Sequence, residues 1–597
     1  MVKRSKTSPF HGGNPSSNLG RVTTNNAHRN DVRFFVLLLR MVRTRRVRRL
    51  RQPGCPYNVG CGCTSVGSPK NKASTVVGAF IFMSNPQGFD YNASVASYHF
   101  ALAIIISAQA SVFFCVNIYS KNPKIKVCKF LQSGVKYNYA NCVAITIITK
   151  GVIMQKIIDA VNKHRQLILD AEKFVWNNPE TGYKEIKTSA YMEEQFKKLG
   201  YEIIKSNDIT GFYTRIDTGR PGPELLVFAE LDSVICPAHK DADKTTGAVH
   251  SCGHNAQCAS IVGVAAALKE QGIMDGLSGA IRICLVPAEE LLEIEYRSEL
   301  KKQGKIKYLG GKCEYLYRGF FDGVDLAFIV HTTGGKFGAP KGNAGCIVKK
   351  IVYKGVAAHA GGSPWEGKNA LYAANCGLNA VNAIRETFKD GEKIRVHPII
   401  THGGDMVNAI PSTVTLESYV RGANFKAITE TNKKVNQALI GAALSIGTNV
   451  EVIDIPGYAP LTNDEGLLKV AKETFTNLFP NDEYEETSNV RGVSTDMGDL
   501  CCLMPVMHPY AAGAKGVAHG SDYYIADPES ACIKSAAWQV AMIINLLSNN
   551  AEKAKEIVKN YKPLFNSKQD YLSYIDSLEC SGDRIIYNDD GTATIKL

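Results

Sequence analysis

The chain has 597 residues, more than one hydrophobic core usually holds, so two or three folding units are expected. Its net charge of +13 is unevenly spread, because residues 1–153 carry Lys and Arg in large excess over two acids, Asp31 and Asp90, while the rest is net acidic. After Met154 there is no clustered Lys/Arg with interleaved aromatics, which excludes a nucleic-acid surface there, and 17 cysteines without a framework of short spacings exclude a disulfide scaffold.

In chain order, residues 1–153 open with a polar, Gly/Asn-rich stretch at Ser5–Asn30 and a basic run at Arg40–Arg51. The uncharged run Phe100–Tyr119 is long enough to cross a bilayer, but Ser107, Gln109, Ser111 and Asn117 lie within it. Cys55, Cys61 and Cys63 lack a fourth metal ligand nearby. The expectation is that residues 1–153 are a solvated extension without a membrane segment, outside the native enzyme, whose start is expected at Met154.

From Met154 to Asn177 apolar residues recur on one side, predicting a helix. Apolar runs at Leu225–Ala229, Ile281–Val286 and Leu326–Val330 predict buried strands, with a small-residue helix at Ala256–Leu268, the pattern of an α/β domain with a largely parallel sheet. The rhythm then changes. A strand at Cys346–Tyr353, a helix at Glu366–Thr387, strands at Ile394–Thr401 and Val414–Arg421, a helix at Ala427–Ile446 and a strand at Asn449–Ile455 spell βαββαβ, a ferredoxin-like unit. It reads as an insert at 344–456 that splits the larger domain into 154–343 and 457–561. Helices follow at Leu467–Phe479 and Ser535–Leu547, and a short extension, 562–597, adds no recognisable chemistry.

Metal-ligand residue types fall at strand exits, the edge where open α/β sheets bind ligands: Cys252-Gly253-His254 before the small-residue helix, Glu289-Glu290 closing VPAEE, and His331 closing AFIVH. Singly each has a commonplace reading. A Cys-x-His is usually incidental, adjacent glutamates are usually a solvated face, and a strand-end His is usually structural. Together, a thiolate, imidazoles and carboxylates suit zinc or a similar divalent transition ion, and two acids ending an apolar strand are costly to desolvate without a cation.

These strings, with KGVAAHAGGSPWEGKNA, Asn408 before Ile410-Pro411, Arg421, and STDMGD followed by AHGSDY, resemble the zinc-dependent aminoacylase and carboxypeptidase-like metallohydrolases. The branch is that of hippurate hydrolase, indole-acetyl-amino-acid hydrolase and aminobenzoyl-glutamate hydrolase. The resemblance implies an α/β metallopeptidase-like catalytic domain with an inserted ferredoxin-like dimerisation or lid domain. It implies that Cys252, His254, Glu290, His331 and His519 bind two divalent ions, zinc or manganese, with Cys252 shared and Glu289 as general base. It further implies that His359 reaches a neighbouring subunit's site in a homodimer, and that Asn408 and Arg421 hold a substrate carboxylate.

Residue chemistry agrees: Glu289 can move a proton, a cationic His359 can meet developing negative charge, and Arg421 has a fork that fits carboxylates. His508 competes with His519 as a ligand, and Asp496 and Asp499 read either as partners of a ligand His or as helix caps. Asn255, where many relatives have Asp, and Gly520-Ser521 after His519 depart from the commoner pattern. The expected function is hydrolysis of an N-acyl or N-aroyl amino acid, aminobenzoyl-glutamate-like, or of a small dipeptide, in the cytoplasm. The alternatives are a catalytically silent metal scaffold and a hydrolase with Cys252 as nucleophile.

Overall fold

The computed structural model describes residues 58–63, 79–84, 103–104 and 139–597, in two compact units, Met1–Ala144 and Ile145–Leu597. In the first, Asn58–Cys63, Ala79–Ser84 and Ala103–Ile104 form a three-stranded antiparallel sheet. Arg40–Arg51 and Cys55 lie outside the described residues, as does all of Phe100–Tyr119 except Ala103–Ile104.

The helix expected to begin at Met154 runs instead from Tyr139 to Lys163, and a second helix follows at Arg165–Trp176. The break is His164, whose backbone (φ −103, ψ 15) leaves helical geometry. Ile157, Val161, Ile168, Ala171 and Val175 are all buried, so the apolar stripe survives the break.

At the centre lies a five-stranded sheet in the order Val506–Met507, Leu326–Ile329, Glu224–Glu230, Ala280–Val286, Phe212–Asp217. Its neighbours are parallel except the edge strand Phe212–Asp217, which runs antiparallel to Ala280–Val286. Every residue of Glu224–Glu230 and Ala280–Val286 is buried, which explains their continuous apolar runs: both faces are covered. The helix His254–Leu268 packs on the sheet with all its residues buried. Its glycine lets two other helices approach it, since a Cβ on Gly263 would stand 2.6 Å from Ile168 Cδ1 of helix Arg165–Trp176 and 3.0 Å from Ala536 Cβ of helix Ser535–Leu547. A second sheet joins His331–Thr333, Tyr510–Ala512, Phe337–Asn343 and Leu461–Thr462, with Tyr484–Arg491 paired to Phe337–Asn343.

Between Gly345 and Pro456 the chain forms its own antiparallel sheet from Gly345–Lys354, Thr413–Gly422 and Asn449–Pro456, with short strands at Arg395–Val396 and Ile399–His402. Helices Ala370–Ala383 and Phe425–Ile446 pack on it around Tyr353, Val414, Leu439 and Val450. The helix expected over Glu366–Thr387 is shorter because Asn369 caps it, its side chain accepting from Leu371 N at 2.9 Å and Tyr372 N at 3.1 Å.

The last residues are not a loose tail. Helix Lys568–Asp576 buries Tyr571, Leu572 and Ile575 beside Phe228 and Leu500. The chain then reaches the insert, where Cys580 N donates to Asp454 O at 3.1 Å, Asp454 N donates to Cys580 O at 2.8 Å, and Ile585 enters the insert's core. It thereby pairs with the outer edge of Asn449–Pro456.

Candidate active site

The turn Ser251-Cys252-Gly253-His254 lies beyond the exit of the strand Glu224–Glu230, with Gly253 at φ +91, a conformation that needs no side chain. A Cβ at Gly253 would also stand 2.4 Å from the Tyr523 hydroxyl. Strand Ala280–Val286 delivers Glu289 and Glu290 through Ala288, at φ +55, whose N–H donates to buried Glu185 Oε1 at 2.8 Å. His331 starts the short strand His331–Thr333, and His519 sits in the loop after Gly516 at φ +64. Two non-glycine residues held in the left-handed region, Ala288 and His519, thus border one site, as strained backbone often does where function fixes it.

These turns bring six of the nine sequence-predicted site residues together. Ligand atoms of Cys252, His254 and His331 lie within 4.8 Å of one another, as do those of Cys252, Glu290 and His519, and those of His254, Glu289 and Glu290. Cys252 Sγ is 3.5 Å from His331 Nε2, and His519 Nε2 is 3.0 Å from Glu290 Oε1. His254 Nδ1 lies 2.8 Å from the Asp232 carbonyl, leaving Nε2 free toward the cluster and 3.2 Å from Glu230 Oε2. His254 Nε2 and Asp232 Oδ1 are buried without hydrogen-bond partners. An orphaned His254 Nε2 within a sulfur, nitrogen and carboxylate donor set fits a pair of divalent transition ions sharing Cys252.

The electrostatics are those of acids and a thiol interleaved with imidazoles, at a centre that runs from buried His254 to exposed His519. Burial and Glu290 push the Cys252 thiol up, but His254 and His331 outweigh them and bring it to about 6. Glu290, against burial, lifts His519 to about 11, and burial of Glu290 is overcome chiefly by His519, which holds it at about 2. Burial and the neighbouring Glu230, Glu290 and Asp496 raise Glu289 well above the usual carboxylate range, with Lys312 opposing.

The other three predicted residues lie on the insert. His359 and Asn408 are exposed, outside the cluster in the same chain. His359 Nδ1 accepts from Gly361 N at 3.1 Å and Gly362 N at 2.9 Å, so Nε2 carries the proton of the neutral ring. Arg421 is half-buried and its Nη1 donates to Ser494 Oγ at 3.2 Å.

His508 stands behind His331, ring centroids 5.5 Å apart, and burial lowers it to about 3. Asp496 makes no side-chain cap bond to the helix that follows it; its carboxylate instead takes Lys312 N at 2.9 Å and Lys312 Nζ at 2.5 Å. Asp499 accepts from Ala459 N at 3.0 Å and from the Tyr571 hydroxyl at 2.5 Å. Asn255 donates to Glu172 Oε1 at 2.8 Å, a contact in which Asp would set two carboxylates face to face. Sequence reading missed Glu230 and Lys312, one hidden in an apolar strand and one just after two glycines, at the start of the helix Gly311–Tyr317.

The fold and this cluster define a metallohydrolase-like α/β protein with an inserted ferredoxin-like layer. The chain belongs to peptidase family M20/M25/M40, whose profile matches residues 226–545. It is 30% identical to human Xaa-Arg dipeptidase over 284 residues, 47% of this chain and 61% of that protein, so it spans less than two thirds of that relative's length. It is 26% identical to a p-aminobenzoyl-glutamate hydrolase polypeptide from Escherichia coli over 388 residues, 59% of this chain and 75% of that one. Among solved structures, an aminobenzoyl-glutamate utilization protein from Klebsiella pneumoniae superposes with a TM-score of 0.50 at 17% identity, over 65% of this chain and 98% of that one. That likeness is one of fold.

Proposed function

We propose that the protein is a metal-dependent amidohydrolase that cleaves the amide bond of an N-acyl or N-aroyl amino acid, aminobenzoyl-glutamate-like, or of a small dipeptide. The observation that carries this is the division of donors into two groups sharing Cys252, with the buried carboxylate of Glu289 beside them. A purely structural ion site has no use for that extra acid. The relatives named for dipeptides and aminobenzoyl-glutamate supply the substrate class.

Two divalent ions, zinc or manganese, would be held by Cys252, His254, Glu290, His331 and His519, and when bound would supply an activated water and a polarised scissile carbonyl. Glu289 takes the water's proton and passes it to the leaving nitrogen, a task helped by a carboxyl that burial and the neighbouring acids raise above the usual carboxylate range. Arg421, with Asn408, holds the substrate's free carboxylate. His359 of a second copy stabilises the oxyanion. A homodimer through the insert is supported by its open edge strand Ile399–His402, exposed along its whole length, and by exposed Tyr372, Met406 and Val407. The eleven cysteines from Cys236 to Cys580 are all free, which supports a reducing, cytoplasmic setting.

The test is hydrolysis of a panel of N-acyl amino acids, aminobenzoyl-glutamate and dipeptides by protein loaded with Zn²⁺ or Mn²⁺, alongside Glu289→Gln. Turnover should fall by about 10²- to 10⁴-fold in the variant at unchanged metal content. One observation favours the rival nucleophile, a Cys252 thiol near 6 that stands 3.5 Å from His331 Nε2. Activity that survives chelation and is abolished by thiol alkylation would establish that rival. Metal binding with no hydrolysis across the panel would establish the silent scaffold.

A further inference from the structure

Behind the cluster, Glu230, Glu289 and Asp496 bring carboxylate oxygens within 4.8 Å of one another, all three buried. An all-oxygen set of this kind is what a hard divalent ion takes. Here a side chain stands in it. Lys312 Nζ is 2.5 Å from Glu230 Oε1 and 2.5 Å from Asp496 Oδ1, with the three side chains wholly buried. The Lys312 backbone N–H donates to Asp496 Oδ2 at 2.9 Å, so one residue holds both oxygens of that carboxylate. The ammonium also lies 5.7 Å from the Phe228 ring centroid.

The contacts continue toward the metal ligands. Glu230 Oε2 accepts from Gln257 Nε2 at 2.8 Å and stands 3.2 Å from His254 Nε2. Asp496, Lys312 and Glu230 therefore form an unbroken line of buried hydrogen bonds that ends 3.2 Å short of His254 Nε2, with Glu289 beside its carboxylates. A surface ion pair would be weak evidence of anything, but a wholly buried ammonium between two carboxylates is costly to desolvate and is retained only with its partners in place.

We propose that Lys312 is a positioning residue, a built-in cation that fixes Glu230 and Asp496 around Glu289 and keeps a third divalent ion out of the space between them. Its kinetic consequence rests on the hydrolase reading above; its ion-binding consequence does not. Removing the ammonium while leaving the three acids should turn this place into a calcium or magnesium site.

The experiment uses the full chain loaded with Zn²⁺. Metal content is measured by plasma mass spectrometry, and melting temperature is followed against added CaCl₂, for the unmodified protein and Lys312→Ala. The unmodified protein should melt at the same temperature with and without Ca²⁺. Lys312→Ala should melt lower, recover when Ca²⁺ is added, and carry one ion per chain more than the unmodified protein. An equal ion count with melting indifferent to Ca²⁺ overturns the proposal. Should Lys312→Ala yield no folded protein, the charge-balanced pair Lys312→Met with Asp496→Asn is read instead. It should retain the Zn²⁺ content, keep KM within about threefold and lose about a hundredfold in kcat, the pattern of a misplaced base. Unchanged kcat in that pair overturns the positioning role. If even the unmodified protein hydrolyses nothing, the hydrolase reading has failed, and the ion count and Ca²⁺ response still decide the role of Lys312.

Discussion

Asp499 offers a stability measurement that needs no substrate. Its carboxyl is fully buried, Oδ1 accepts from Ala459 N and the Tyr571 hydroxyl, and Oδ2 is without a partner. Burial, reinforced by Asp496 and only partly offset by those two bonds, raises it from 3.8 to about 7. An acid raised on folding contributes stability that is complete below its unfolded pKa and is lost as pH climbs through the folded value, here from about 4 to about 7. Between pH 5 and pH 8 roughly two units of that shift remain, which at about 1.4 kcal/mol per unit is ~3 kcal/mol. The unit Ile145–Leu597 should unfold with an entropy of about 1 kcal/mol/K, so the swing corresponds to about 3 °C in melting temperature. Asp499→Asn keeps an oxygen for both donors and cannot ionise, though its amide nitrogen would lack an acceptor at a pH-independent cost of about 1–3 kcal/mol. Differential scanning fluorimetry of metal-loaded protein should therefore show the variant gaining about 3 °C on the unmodified chain between pH 5 and pH 8. A difference that stays constant over that range would show that Asp499 does not titrate there and would refute the reasoning.

The dimer reading predicts complementation: mixing Glu289→Gln with His359→Ala after subunit exchange should restore roughly a quarter of the active sites, because half the dimers carry one intact Glu289 facing one intact His359. No recovery in a verified heterodimer would place His359 outside the site. Arg421→Lys should raise KM at least tenfold for substrates with a free carboxylate and leave their amides unaffected, since ammonium cannot make the bidentate contact; steady-state kinetics on acid and amide pairs decides it. Deleting residues 568–597 exposes the partners of Tyr571, Leu572, Ile575 and Ile585, each buried to within 5%. At about 1.5–3 kcal/mol per side chain the melting temperature should fall by about 6–12 °C. A smaller loss would mean that the tail is dispensable to both layers it touches.

What the sequence made legible follows from period and from residue chemistry. The runs Leu225–Ala229 and Ile281–Val286 were readable because both faces of those strands are covered, and the insert because its amphipathic strands and capped helices alternate cleanly. Cys252, His254, Glu289, Glu290 and His331 could be read as one cluster because, commonplace singly, they fall together at strand exits, whereas His519, in a Gly-rich loop, was legible only through the family resemblance. Phe337–Asn343 escaped because FGAPKGN has the Gly and Pro of a loop, yet a Cβ at Gly338 or Gly342 would fall within 2.0 Å of a neighbouring carbonyl, so the glycines are what let its neighbours approach. Lys312 escaped for a different reason. A lysine after two glycines reads as a solvated turn, and only the fold reveals that its ammonium is buried between two acids from distant segments.

The segment after Glu290 shows why the layers cannot be treated as independent. The Tyr419 hydroxyl of the insert donates to the Leu291 carbonyl, one residue beyond a proposed ligand, and Lys350 of the insert pairs with Glu295. From the terminal extension, Glu579 pairs with Lys301 at 2.6 Å and Asp576 with Lys307 at 2.7 Å. From the first part of the larger domain, Lys184 and Thr181 hold Glu293, which sits at φ +52 as the N-cap of the helix Ile294–Lys302. Leu291 and Ile294 lie in a common core with Cys346, Val348 and Ile455 of the insert's sheet. The insert therefore cannot swing without pulling on backbone that also carries Glu289 and Glu290, and the terminal extension, pairing with Asn449–Pro456 and with Lys301, grips both sides of that junction. Placement of the base and placement of the insert are thus one structural problem, solved by the same short stretch of chain.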